Sequence, residues 1–288
     1  MIRLVPILVL VCSAWLRAGG WPQSVPGQSL TPTPLGANAP SPPLPEDDNS
    51  RKAKALVQQA IQALGGQAYL NIRDREQQGR GYVLHHGQQT SNGVLFWSFS
   101  EFPDKERVEL TKDRDVAELY IGNKGYEITF KGVHSMDPKD LEDYLRHRYF
   151  SLDTVLRTWV NEPGVLFLFE GNATAAQHPA VQVTLINSKD ESVTLFFDTD
   201  THLPIKKTFT WRDPVDKQKN LEEEVYENYR QVSGVMAPYN VTRYFNGDMA
   251  GERFLFNVTI NQGLDQAMFD PNSGYDPNKQ PGKQPGKR

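Results

Sequence analysis

Six histidines, one cysteine and a run of glutamates are the residues of this chain that could by type carry catalysis or hold a metal. His85, His86, His134, His147, His178 and His202 stand in no metal-ligand spacing with Cys or acid partners. His85 and His86 are neighbours on a strand-like run, where successive side chains point to opposite faces and cannot share an ion. Glu222-Glu223-Glu224, with Glu227, has the right groups for acid catalysis or calcium. On a strand its neighbours alternate, so it reads as a solvated edge that deters edge-to-edge pairing. Gly-x-Ser-x-Gly, phosphate-loop and dinucleotide fingerprints are absent. The residue pattern therefore indicates no enzyme, no metal and no cofactor, and leaves passive apolar contact as the chemistry to be explained.

Several segments offer such contact. Val94-Leu95-Phe96-Trp97-Ser98-Phe99 carries large apolar side chains on both parities, as do Val193-Thr194-Leu195-Phe196-Phe197 and, less strongly, Val165-Leu166-Phe167-Leu168-Phe169. A strand apolar on both sides must be covered on both sides, by helices or by a ligand. The residues expected to line a cavity for such a ligand are Leu95, Trp97, Phe99, Tyr120, Leu156, Trp159, Phe209, Trp211, Phe254 and Phe256. Each buried methylene contributes ~0.8 kcal/mol, so a long acyl chain gains on the order of 10 kcal/mol without any polar contact. The same side chains would also suit a solid core.

The elements that must position these residues can be read from periodicity and turn chemistry. A helix is expected over residues 52–64, with Leu56, Ala60, Ala63 and Leu64 on one side, caps available at Asp47, Asp48, Asn49 or Ser50, and Gly65-Gly66 as its stop. Strand-like runs follow at 76–85, 93–100, 105–111, 116–121 and 126–130, separated by hairpin chemistry such as Asn92-Gly93 and Gly122-Asn123-Lys124-Gly125. A helical stretch at 138–161 begins behind Asp137 and carries the stripe Leu152, Val155, Leu156, Trp159 and Val160. Seven more strands are expected at 165–170, 180–187, 192–198, 204–211, 221–231, 237–246 and 251–261. The last of these places Phe254, Phe256, Val258 and Ile260 on one face. The fold class is therefore α+β and mainly antiparallel, with about a dozen strands in one large curved sheet or half-open barrel. An N-terminal helix and the inserted helical segment cover it.

The ends of the chain have a different composition. Residues 1–20 read as a secretory signal peptide, because the apolar stretch from Leu4 to Leu16 falls short of the ~20 residues of a bilayer span and small residues follow it. The only cysteine, Cys12, lies in that stretch, so the exported product would have no disulfide. Residues 21–51 are crowded with Pro, Gly, Ser and Thr and read as a disordered linker, and residues 272–288 as a disordered basic tail. Loss of Arg3 and Arg17 with the signal takes the formal charge from −4 to −6, which offers nucleic acid no basic surface. The folded region is expected over 52–271.

Within that region, Phe102-Pro103-Asp104-Lys105-Glu106-Arg107-Val108-Glu109, the hairpin Leu119-Tyr120-Ile121-Gly122-Asn123-Lys124-Gly125-Tyr126, Phe197-Asp198-Thr199-Asp200-Thr201-His202-Leu203-Pro204, and the closing segment with Leu264, Phe269 and Pro271 follow one another in a telling order. The chain resembles the periplasmic lipoprotein carriers, the LolA/LolB-like outer-membrane lipoprotein-sorting proteins. The resemblance implies a half-open β-barrel closed by helices that shelters lipid acyl chains or lipidated proteins. It also implies a periplasmic location, peripheral to the outer membrane, and a membrane-associated complex as loading or accepting partner. The carrier proper has an Arg before the Pro of the early turn that holds its lid, and here that position is Phe102. The alternative reading is a non-enzymatic scaffold of the cell envelope that docks protein partners through its sheet edge and tails.

Overall fold

The computed structural model describes residues 47–85, 88–89 and 92–278; the signal-peptide segment, most of the linker and the end of the basic tail lie outside the described residues. The first helix, α1 (Asp48–Ala63), begins four residues earlier than expected, because the Asp47 carboxylate accepts the Ser50 N–H and caps it. Residues 48–51, assigned to the linker from sequence, are its first turn. Ala53, Val57, Ala60 and Ile61 form its buried stripe. Gly65 stops it at φ 124°, where a Cβ would come within 2.3 Å of the Gly234 carbonyl oxygen. A short α2 (Gln67–Leu70) follows.

Fourteen strands form one sheet. In chain order they are β1 (Asp74–His85), β2 (Gln88–Gln89), β3 (Val94–Glu101), β4 (Lys105–Leu110), β5 (Val116–Ile121), β6 (Lys124–Thr129) and β7 (Gly132–Ser135), then β8 (Leu166–Ala175), β9 (His178–Ile186), β10 (Ser192–Asp198), β11 (Pro204–Arg212), β12 (Lys219–Val232), β13 (Val235–Phe245) and β14 (Asp248–Ile260). The two not expected, β2 and β7, are two and four residues long, too short to show a period of two. The pairing is antiparallel throughout and runs β7-β6-β5-β4-β3-β1-β14-β13-β12-β11-β10-β9-β8, with β2 beside β1. The first and last long strands thus pair in mid-sheet, Arg75 opposite Ile260 and Gly81 opposite Arg253. The two edges, β7 and β8, are consecutive in sequence and do not pair.

The chain crosses from one edge to the other through the helical insertion. It is not one helix but α3 (Pro138–Tyr149), α4 (Leu152–Arg157) and a 3₁₀ turn at Trp159–Asn161. The break lies at Phe150-Ser151, where the Ser151 hydroxyl accepts the Thr154 N–H and starts a new helix. Asp137 caps α3 as expected, accepting from Lys139.

Helices cover one face of the sheet, the inner face. There Val183, Leu185, Val193, Leu195 and Phe209 pack with Val57, Ile61, Leu156 and Trp159 in a single core cluster. On the outer face, a 3₁₀ turn at Gln266–Phe269 brings Met268 and Phe269 against Phe99 and Leu119, with Trp97 and Tyr275 at the margin. Of residues 272–278, assigned to the tail from sequence, Tyr275 thus packs at the edge of this cluster, and Asn278 donates to the Asp113 carbonyl at 3.0 Å. Beneath this segment Arg107 and Glu109, 3% and 0% exposed, pair at 2.7 Å, and Arg107 also donates to the Met268 carbonyl. Two of the three doubly apolar runs are accordingly covered on both sides by this chain itself: β3 by core and C-terminal segment, β10 by the core and, through Phe196, by the Ala175, Ala180 and Ile205 cluster, whereas in β8 Leu166 and Leu168 are 57% and 37% exposed.

Edge strand β8 is managed locally. Asn49 of α1 donates its amide to the Phe169 carbonyl and accepts the Phe169 N–H, both at 2.8 Å, so a side chain occupies backbone groups that would otherwise template another strand. The glutamate run is not an edge, which corrects the sequence reading. β12 lies between β11 and β13, and its carboxylates pair with neighbours, Glu224 with Lys207 at 2.9 Å and Glu223 with Lys206.

The distinction between core and surface sets a stability test. Trp159 is fully buried and Phe256 is 54% exposed. Trp159→Ala is expected to cost ~3–5 kcal/mol in urea denaturation, and Phe256→Ala less than ~0.5 kcal/mol. Comparable losses for both would contradict the placement of the core.

A polar latch and a charged cavity under a crossing helix

α3 buries none of its residues below the accessibility of a core position, and it is held to the sheet by polar contacts on both sides. Towards β4 and β5, the Tyr144 hydroxyl donates to Glu106 at 2.9 Å while its ring stacks on Tyr120, centroids 3.4 Å apart. Arg148 donates to the Asp104 carbonyl at 3.2 Å. Towards β11 and β12, His147 Nε2 meets Glu222 at 2.5 Å and Nδ1 lies 3.2 Å from Asp143. Glu222 also accepts from the Trp211 indole at 2.7 Å, and the Arg146 guanidinium lies 3.6 Å over the Trp211 ring. Phe150, just past α3, stacks on Phe209 at 4.4 Å. The helix therefore spans the two halves of the sheet like a strap.

Beneath it is a cavity of about 270 Å³. Ile72, Val235, Val241 and Ile260 supply apolar wall, and Arg75, Gln77, Glu106, Asp153, Glu224 and Arg253 supply polar wall. Burial acts to raise the Asp153 carboxyl, but Arg75, 2.8 Å away, and Arg157 hold it below the usual carboxylate range. Burial likewise opposes ionisation of Glu224, and the fully buried Lys207 overrides it and brings the carboxyl to about 2. Lys207 gives a further bond to the Phe150 carbonyl at 2.7 Å, which ties the floor of the site to the junction between α3 and α4. Phe102, at the position of the carriers' lid-holding Arg, lies under two guanidiniums, Arg157 at 4.4 Å and Arg75 at 5.1 Å. Arg157 also donates to the Ile72 carbonyl, fastening α4 to the chain before β1.

None of the ten residues singled out from sequence lines this cavity. Leu156, Trp159 and Phe209 belong to the solid core, and Trp97 and Phe99 lie under the C-terminal segment on the outer face, with Leu95 at the same parity on β3. Tyr120 and Trp211 touch α3. Phe254 packs edge-on against Tyr82, and Phe256 is exposed. The expected single face for Phe254, Phe256, Val258 and Ile260 fails at a bulge. Gln78 pairs with Asn257 and Gly79 with Leu255, so Phe256 is skipped and the alternation reverses there. Only Gly fits opposite, since a Cβ on Gly79 would come within 2.3 Å of the Phe254 carbonyl oxygen. The charged inward residues did have a signal. Lys207, Phe209 and Trp211 share one parity, and a lysine in register with two inward aromatics needs an acid beside it.

Among the described residues, no group of three or more His, Cys, Asp or Glu could hold a metal ion, and no helix is long and apolar enough to cross a membrane. No family model and no curated protein matches the chain. Solved structures do. A DUF1329 family protein from Desulfovibrio piger aligns with a TM-score of 0.56 at 11% identity, over 78% of this chain and 98% of that one. A protein described as an outer membrane lipoprotein-sorting domain, from Vibrio parahaemolyticus, aligns with a TM-score of 0.51 at 12% identity, over 78% and 98%. At these identities the likeness establishes the fold: an open, antiparallel, LolA/LolB-like barrel, as the sequence resemblance implied.

The latch has a pH dependence. Burial acts to lower the His147 value, but its hydrogen bonds to Asp143 and Glu222 outweigh this and raise it, against the opposing charge of Arg243, which crowds the same ring nitrogen. A raised folded-state value means that the imidazolium contributes fully below the ordinary histidine range and that its contribution is lost as pH rises through the raised value. Asp143 and Glu222 are both held below their ordinary values, so their share is lost only in stronger acid. Amide exchange over residues 138–149, corrected for intrinsic rate, is expected to speed up between about pH 6 and about pH 8.5, and His147→Gln is expected to show the fast behaviour at both. Equal protection at the two pH values would count against the latch.

Proposed function

We propose that this protein is a non-enzymatic carrier that shelters the acyl chains of a lipid, or of a lipid-modified protein, between the inner face of its open sheet and α3. The observation that carries this reading is the construction of the crossing helix. It joins the two unpaired sheet edges, none of its own residues is buried, and it is held chiefly through polar contacts. A helix of that kind can be exchanged for an apolar guest. The fold it shares with a lipoprotein-sorting domain supports the same reading.

The cavity as it stands is at the lower edge of ordinary ligand pockets, about 300–1,000 Å³, so a long chain requires α3 to move. The energies allow it. Each latch hydrogen bond has a net value of about 0.5–1.5 kcal/mol, whereas each methylene buried from water contributes ~0.8 kcal/mol. A chain of a dozen methylenes therefore outweighs a handful of latch contacts. Displacing α3 uncovers Tyr120 and Trp211 and takes His147 off the edge of Phe209; Tyr120, Phe209 and Trp211 are three of the residues proposed from sequence to contact the guest. The setting that fits is the periplasm beside the outer membrane, after export with removal of residues 1–20, with a membrane-associated complex that loads or accepts the cargo.

Delipidated protein titrated with a fluorescent long-chain fatty acid is expected to bind it saturably. Trp211→Asp should weaken binding by about tenfold or more, while Phe256→Asp, on the opposite side, should not. Absence of saturable binding, or equal damage from both substitutions, would overturn the carrier reading.

A further inference from the structure

The charged wall of the cavity is not evenly matched. Asp153 is taken by Arg75, with Arg157 close by. Glu224 is taken by Lys207 and by the Tyr226 hydroxyl, and Glu106 by the hydroxyls of Ser98 and Tyr144. Arg253 remains. It projects from β14 at the open side of the same cavity, exposed to solvent, and its guanidinium makes no hydrogen bond or ion pair with any described residue. Arg75 is the neighbour whose like charge bears on it, and the Nε–H of Arg75 is itself buried without an acceptor. Two guanidiniums thus present unused donors to one small cavity, Arg75 from within and Arg253 from its open side, while every carboxylate facing it is already engaged.

We propose that the carried molecule is an anionic amphiphile whose carboxylate or phosphate head binds between Arg253 and Arg75 at the mouth of the cavity, with its chain running along the inner sheet face under α3. The inference rests on the carrier reading and adds the chemistry of the head group to it. A planar guanidinium offers paired donors that match a carboxylate or phosphate in a bidentate way. The apolar wall at Val241 and Ile260 begins directly beside the head site, so the ligand changes from charged to greasy where the lining does. Val241 pairs with Arg253 itself across the β13–β14 ladder.

The test compares ligands that share a chain and differ in the head. Affinity of the delipidated protein is measured for a long-chain fatty acid, for the fatty alcohol of the same length, and for inorganic phosphate and acetate as heads without a chain. The acid is expected to bind at least about tenfold more tightly than the alcohol, and Arg253→Met should bring the ratio of the two close to one. Because the ratio is read within one protein sample, a partial loss of folded Arg253→Met cancels from it. Acid and alcohol binding equally well to the unaltered protein would overturn the head-group inference and leave the carrier reading standing. Neither binding would overturn the carrier reading. Phosphate or acetate alone binding as tightly as the fatty acid would show a site for free anions and overturn the amphiphile.

Discussion

Two strands that follow each other in sequence, β7 and β8, form opposite edges of the sheet and never pair. The chain between them must cross the inner face, and it does so by a polar helix bonded to Glu106 on one side and Glu222 on the other. Everything distinctive about the molecule depends on that crossing. Had β7 and β8 paired, the barrel would be closed and its interior a sealed core of side chains. With the gap left open, the same sheet has a face that is solid where α1, α4 and Trp159 press on it and hollow where α3 passes over.

The division of labour within the insertion follows from its sequence. α4 and the turn after it bury Val155, Leu156 and Trp159 and anchor the crossover in the core. α3 is rich in charge and keeps its tyrosines, His147 and arginines for contacts that water could replace. One half of the insertion is therefore expensive to remove and the other is not, and Ser151 marks the boundary between them. The charged floor continues this logic. Lys207, without exposure, binds both Glu224 and the Phe150 carbonyl at the start of that boundary, so the fixed end of the strap and the charge balance of the cavity depend on one side chain.

Much of this was legible in the sequence. Period-two runs and Gly-containing turns placed twelve of the strands, and Asp137 and Gly65 marked helix ends, because these signals are local. What could not be read locally was which side of each strand faced the helices. Trp97 and Phe99 have the composition of a lining but face outward, since the residues that cover them, Leu264, Met268, Phe269 and Tyr275, come from a segment with no strand or helix periodicity to show which face it packs on. The bulge at Phe256 inverted an otherwise clear alternation, and only the register with Gly79 reveals it. The glutamates of β12 looked solvated because their partners, Lys207, His147 and Trp211, come from an adjacent strand and from a helix seventy-five residues away. Tyr120 and Trp211 were singled out as greasy contacts, and their place under α3 gives them a role only once that helix is seen as removable.

The most direct test of that removability is a crystal structure of the protein bound to a long-chain fatty acid. The account predicts an acyl chain lying on the inner face against Phe209 and Trp211, with α3 lifted and its contacts to Glu106 and Glu222 broken, while α4 and Trp159 stay in place. A fatty acid bound elsewhere, with α3 still bonded to both glutamates, would contradict it.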